Sequence, residues 1–179
     1  MVDETGWMYH FGQFAMAGLY STRERRMTFK MAGGCNCGNV RYECAERPVV
    51  HLICHCMDCK KATGAGSAAA VFVPSDRLIF SAAKLAFHEV EAASGRHVQR
   101  GFCVNCGSLI SSRWREQSKY QALMVGSLDD QSIFEPKVEV WISRAKAWEV
   151  LHPNTLKFDE GPSAEAVRRP IEEYFASRN

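Results

Sequence analysis

Seven of the eight cysteines stand in three tight groups, and no other residues in the chain are so pointedly spaced: Cys35-x-Cys37, Cys54-x-Cys56-x-x-Cys59 and Cys103-x-x-Cys106. Thiolates hold zinc at about 2.3 Å in tetrahedral sites, and two cysteines on one tight turn can supply half of such a site. Assigned as whole groups, the two pairs Cys35/Cys37 and Cys103/Cys106 close one four-thiolate site. The triplet Cys54, Cys56 and Cys59 is left with three ligands and a free position. Gly38 and Gly107 follow the second ligand of each pair and suit a sharp turn whose amides point at the sulfurs. A site closed between such distant pairs would act as a staple, because zinc binding in small structural sites contributes about 10–16 kcal/mol of apparent free energy.

Three thiolates outweigh the charge of a zinc ion and leave the unit formally negative. Such a centre acidifies water poorly and is better suited to keeping a further thiol in its nucleophilic thiolate form. The triplet therefore points to carbon–sulfur bond formation between a thiol substrate and an electrophilic carbonyl compound. Other readings stay open. The triplet could take a fourth ligand from His51, His55 or Cys44 and become a second structural site, or the C-x-x-C spacing could be a redox dithiol. Cys44 shares a strand face with Val40 and Tyr42 and reads as core; were it a reactive thiol, it would support a redox or sulfoxide-reducing protein instead. His88 and His97 carry no ligand spacing and read as surface residues. The sequence shows no carboxylate pair, no serine nucleophile with a matching base and no phosphate-cradling loop.

The elements that must position these groups are short and β-prone. Val40, Tyr42 and Cys44 alternate with Arg41 and Glu43, the period of a half-buried strand. Similar runs cover Val49 to Ile53, Ala68 to Val73, Leu85 to Val90, Leu109 to Trp114, Tyr120 to Val125 and Val138 to Ile142. Phe72, Phe80, Phe87 and Phe102 lie on strand-like runs and read as core. Asp58 to Thr63 could add one helical turn. The fold class is mainly β, with a short C-terminal helix where Val167, Ile171, Tyr174 and Phe175 recur at helical spacing, bent or shortened by Pro170. Three regions are expected: an N-terminal extension over 1–31, loosely ordered or an over-long gene start; the zinc-binding domain over 32–158; and a helical tail over 159–179.

With 179 residues, 46% of them apolar and 23% charged, the chain can bury a sizeable core. A net charge of +2 with one basic stretch, Arg23 to Arg26, interrupted by Glu24, argues against a nucleic-acid or membrane surface. Asp3 and Glu4 stand where a secretory signal would be basic, and no run of about 20 apolar residues is present. The expected location is the cytoplasm, where cysteines serve as ligands rather than disulfides.

Three stretches carry a family resemblance: Gly33-Gly34-Cys35-Asn36-Cys37-Gly38-Asn39-Val40-Arg41-Tyr42, Cys54-His55-Cys56-Met57-Asp58-Cys59-Lys60-Lys61 with Thr63-Gly64-Ala65, and Arg100-Gly101-Phe102-Cys103-Val104-Asn105-Cys106-Gly107-Ser108. Together they resemble the glutathione-dependent formaldehyde-activating enzyme family, over roughly 32–158. Trp141, Ser143, Arg144 and Trp148 look like the family's aromatic and basic tail. The resemblance implies an Mss4-like fold, a complex β-sheet domain stapled by zinc. It implies two zinc ions, with Cys35, Cys37, Cys103 and Cys106 structural and Cys54, Cys56 and Cys59 at the catalytic ion. It also implies a carbon–sulfur lyase or synthase that joins glutathione to formaldehyde as S-hydroxymethylglutathione. Glutathione carries two carboxylates, which makes Lys60, Lys61 and Arg100, adjoining the ligands in sequence, candidate anchors. Lys60 stands where arginine is frequent in the family, and His152-Pro153-Asn154-Thr155-Leu156 replaces its usual aspartate-glycine-leucine-proline stretch, so the substrate is less firmly implied than the metal sites. Because Mss4-like folds also serve as protein-binding modules, a non-catalytic zinc-stabilised module is the alternative.

Overall fold

A computed structural model of the chain describes residues 29–81, 85–92 and 95–162. Most of the N-terminal extension and the expected C-terminal helix lie outside the described residues. In chain order the strands are β1 (Met31–Gly34), β2 (Arg41–Cys44), β3 (Val50–Cys54), β4 (Ala68–Pro74), β5 (Leu78–Phe80), β6 (Leu85–Glu91), β7 (His97–Cys103), β8 (Leu109–Trp114), β9 (Gln117–Met124), β10 (Val138–Val140) and β11 (Leu156–Phe158). One short helix, α1 (Met57–Thr63), interrupts them after β3. The fold is mainly β, as the alternating runs indicate. Among the described residues no helix is long and apolar enough to cross a membrane.

The strands form two sheets. A small antiparallel one runs β1-β2-β5, and a large one runs β11-β10-β3-β4-β9-β8-β7-β6. The large sheet is antiparallel from β3 onward, but β10 lies parallel to both β3 and β11. The apolar face of β2 explains how the sheets meet. Val40, just before it, and Tyr42 and Cys44 within it are buried, and they pack with Val71 and Val73 of β4, Ile110 of β8 and Leu123 of β9. Tyr42 meets Phe80 edge-on at 5.7 Å between ring centroids, and its hydroxyl donates to Ser127 Oγ at 2.8 Å, which passes a hydrogen on to the Met124 carbonyl at 2.7 Å. A second, smaller apolar cluster gathers Val138, Val140, Leu52, Trp141 and Phe158 around Cys54 and Cys56. Strand β10 stops short of the expected Ile142 because Trp141 takes a left-handed conformation, with φ of 60°, that breaks the strand. Past the expected domain end, Asp159 and Glu160 carbonyls accept from the Ser143 and Trp141 amides, which keeps this stretch on the domain.

Gly33 of β1 lies against its strand partner Tyr42 and against the Val125–Ser127 turn that follows β9. A Cβ there would lie 2.3 Å from both the Ser127 carbonyl oxygen and the Tyr42 hydroxyl. Gly33→Ala therefore has to push the Tyr42 ring and the Ser127 main chain away from β1, and overpacking of this kind costs about 1–3 kcal/mol. A Cβ at Gly126 meets nothing within 4 Å, so Gly126→Ala should change stability by less than about 0.5 kcal/mol. Urea unfolding of the two variants beside the wild type checks the difference.

Candidate metal centres and groove

The four sulfurs of Cys35, Cys37, Cys103 and Cys106 lie within 4.8 Å of one another. Cys35 and Cys37 Sγ are 3.4 Å apart, and Cys37 and Cys103 Sγ are 3.8 Å apart. A zinc tetrahedron with bonds of about 2.3 Å has sulfur–sulfur edges of about 3.8 Å, so the donor set fits that ion. Each pair sits on a turn closed by its glycine: the Gly38 amide donates to the Cys35 carbonyl at 3.0 Å and the Gly107 amide to the Cys103 carbonyl at 2.8 Å. Both glycines have positive φ, 76° and 73°, while a Cβ on either would meet nothing within 4 Å. Backbone conformation rather than space selects glycine there. The sulfurs accept further hydrogen bonds, Cys35 from the Val40 amide at 3.1 Å and Cys37 from Asn105 Nδ2 at 3.3 Å. The hydroxyl and amide of Ser108 bring the Cys106 thiol down to about 6.

The triplet forms where β3 gives way to α1. Cys54 is the last residue of β3; Cys56 caps the helix, its sulfur accepting from the Cys59 amide at 3.4 Å; and Cys59 faces the other two from the first turn. These three sulfurs also lie within 4.8 Å of one another. Hydrogen bonds from Cys54 and Cys59 draw the Cys56 thiol far down, while contact with Cys56 and Cys59, together with burial, pushes Cys54 well up. Three thiolates this close repel one another, and their coexistence needs a cation among them.

Among the described residues no His, Asp or Glu offers a fourth ligand atom within that distance of all three. His51 Nδ1 instead accepts from the Glu135 amide at 3.1 Å, and its ring stacks on Phe134. His55 turns both ring nitrogens away to Glu149 and Glu139, at 2.8 and 2.9 Å. Cys44 is fully buried between the sheets, its thiol pushed up by burial, and its S–H donates to the Glu46 carbonyl at 3.4 Å.

Against α1, the helix that carries Cys59, opens a groove of about 380 Å³ lined by Asp58, Lys61, His88, Arg100, Phe102 and Leu109, among others; none of the triplet cysteines is itself a lining residue. Its position follows from register. His88 of β6 stands opposite Arg100 of β7, and Ala86 opposite Phe102, so side chains of one sheet face make its floor while α1 makes its wall. Contact with Cys54 lowers the Cys59 thiol, contact with Cys56 and burial raise it to about 11, and the Arg100 guanidinium opposes that rise. Of the three cations that adjoin ligands in sequence, Lys61 and Arg100 come together on the groove. Lys60 does not: its ammonium pairs with Glu149 and donates to the Arg144 carbonyl at 2.9 Å. His88 lines the groove as well, although its lack of ligand spacing had marked it only as surface. Glu139 and Glu149 also escape a reading based on ligand spacing. The one signal for Glu139 is a carboxylate inside the apolar run Val138 to Ile142.

A family model described as "Glutathione-dependent formaldehyde-activating enzyme" matches residues 30–144. No curated protein matches the chain. Among solved structures, a crystal structure of a Rhodobacter sphaeroides protein is similar at 18% identity, covering 72% of this chain and 99% of that one with a TM-score of 0.45, too slight a likeness to argue from. The family match spans both cysteine pairs, the triplet and the groove residues, and the chain belongs to the glutathione-dependent formaldehyde-activating enzyme family.

Proposed function

We propose that this protein is a zinc-dependent carbon–sulfur lyase or synthase that joins glutathione to formaldehyde, or to a related small aldehyde, as S-hydroxymethylglutathione. The observation that carries the reading is a cluster of three thiols, lacking a fourth protein ligand among the described residues, beside a groove bearing Lys61 and Arg100. Cys54, Cys56 and Cys59 would hold the catalytic zinc, and Cys35, Cys37, Cys103 and Cys106 the structural one. When bound, the catalytic ion supplies positive charge that keeps a substrate thiol deprotonated at neutral pH.

The groove residues supply binding and orientation. Lys61 and Arg100 pair with the carboxylates of glutathione, and Phe102 and Leu109 give its backbone an apolar floor. Anchoring the far end of the thiol in this way would leave its sulfur to reach past α1 toward Cys59, which shares that helix with Lys61, and would lower the entropic cost of meeting the aldehyde. In the reaction the thiol sulfur bonds to the carbonyl carbon, the carbonyl π bond opens onto oxygen, and the proton lost from sulfur ends on that oxygen. No oxidant or reductant is consumed. Reversal breaks the same bond, and on that account the activity is written as lyase or synthase. The protein would operate in the cytoplasm, where glutathione is abundant, with no nucleic-acid or membrane partner.

Metal analysis and calorimetry test the reading together. Wild type should hold two zinc ions per chain and bind glutathione. Cys56→Ser should lose one zinc and the glutathione binding while remaining folded. Two zincs with no glutathione binding would overturn the enzymatic reading in favour of a zinc-stabilised binding module. Cys35→Ser, by contrast, removes a ligand from the closed site and should cost the folded state, seen as loss of the cooperative thermal transition.

Charge-neutral replacements of the groove cations make a second test. Lys61→Met and Arg100→Met should each raise KM for glutathione by about tenfold or more, as expected for loss of one hydrogen-bonded charge pair, with kcat changed far less. Lys60→Met should not show this selective loss of glutathione affinity, since Lys60 points to Glu149. Steady-state kinetics with varied glutathione at saturating formaldehyde separates the two parameters.

A further inference from the structure

Between the two triplet ligands Cys54 and Cys56 lies a side chain that the proposed chemistry does not use. His55 is 2% exposed and its ring is held at both ends. Nε2 lies 2.9 Å from Glu139 Oε2 and Nδ1 lies 2.8 Å from Glu149 Oε2. Its main chain is fixed as well, the His55 amide donating to the Val140 carbonyl at 3.0 Å.

The two carboxylates are anchored in turn. Glu139 is fully buried in β10, and its Oε1 accepts from the His152 amide and from Thr155 Oγ1, each at 2.7 Å. The second oxygen of Glu149 takes the Lys60 ammonium, and the Glu149 amide donates to the Lys146 carbonyl at 2.8 Å. The ring is thus tied at both ends to carboxylates, and the second of these is tied in turn to Lys60.

This arrangement draws four separate pieces of chain, the end of β3, α1, β10 and the segment 144–155, onto the residue between two ligands. Among the described residues the four-cysteine cluster has nothing comparable, since its sulfurs take their outer hydrogen bonds from main-chain amides, Asn105 and Ser108. A four-ligand site fixes its own geometry by closing on the ion. A three-ligand site has one constraint fewer, and the groups around it must supply the missing rigidity. Apolar packing would bury the same space at lower desolvation cost, but hydrogen bonds at both ends of a ring specify its orientation, which apolar contacts do not.

We propose that Glu139 and Glu149, acting through His55 and Lys60, are positioning residues that hold the Cys54, Cys56 and Cys59 sulfurs in one preorganised arrangement for metal. The inference rests on the reading of that triplet as a zinc site, but not on glutathione or formaldehyde being the substrates.

The test is zinc release from the full-length, zinc-loaded protein to a chromophoric chelator, followed over time. Wild type should release its zinc in two phases, and Cys56→Ser, which lacks the triplet ion, shows which phase is which. Glu149→Gln should speed release from the triplet by about tenfold or more, in the range seen for loss of groups that orient metal ligands, and leave the four-cysteine phase unchanged. Because that variant strands the Lys60 ammonium, the uncharged pair Lys60→Met/Glu149→Gln is measured beside it and should show the same selective acceleration even if the single variant fails to fold. Lys60→Arg keeps a cation for Glu149 and should stay close to wild type. Unchanged triplet release in the double variant, or equal acceleration of both phases, would overturn the positioning role. A wild type that releases only the four-cysteine zinc would overturn the triplet metal site itself, and this inference with it.

Discussion

The meeting of Cys35 and Cys37 with Cys103 and Cys106 is the contact on which the rest of the molecule depends. The first pair follows β1 of the small sheet, and the second lies on the turn between β7 and β8 of the large one. Cys103 is fully buried and belongs to the same apolar cluster as Val40, Tyr42 and Ile110, so drawing the four sulfurs together also seats the small sheet on the large. Sulfur atoms this close repel one another once ionised. Neutralising that charge therefore favours docking of the sheets.

The two cysteine clusters meet one electrostatic problem by different means. At the four-cysteine site the outer ligands Cys37 and Cys106 are exposed, and the turns of Gly38 and Gly107 aim amide dipoles at the sulfurs. At the triplet, Cys54 and Cys56 are buried in a cluster of apolar side chains, where an uncompensated charge would be most costly. There Glu139 and Glu149 are tied to His55 and Lys60 rather than to the sulfurs, and Arg100 is the cation that acts on Cys59. The division extends to two consecutive lysines. Lys60 is spent inside the protein, while Lys61 is left to face the groove.

Much of this architecture was legible in the chain, for reasons that differ from element to element. Strand β8 coincides with the expected Leu109 to Trp114, and the Val40/Tyr42/Cys44 alternation corresponds to fully or almost fully buried side chains, because a sheet with one face in the core imposes a period of two. Both cysteine clusters were legible because sulfurs gathered on a tight turn must be close in sequence. Strand β1, Met-Ala-Gly-Gly, carries no such pattern, since Gly33 is selected by the close approach of Tyr42 and Ser127 and Gly34 by that of Val40 and Arg41. Strand β11 is three residues long and owes its existence to parallel pairing with β10, a long-range contact that local propensity does not encode. The Glu139–His55–Glu149–Lys60 group was hidden for the same reason: its members come from distant parts of the chain, and no spacing rule connects them.

The parallel placement of β10 beside β3 also sets an order in time. A ribosome delivers the three sulfurs of the triplet almost together, early in synthesis, and thiols so closely spaced can capture a metal while most of the sheet is still unmade. The strand that covers them, and the glutamates that steady His55, emerge only after the whole β6 to β9 meander. For that interval the nascent chain carries these thiols open to its surroundings, without the packing that later limits what can reach them.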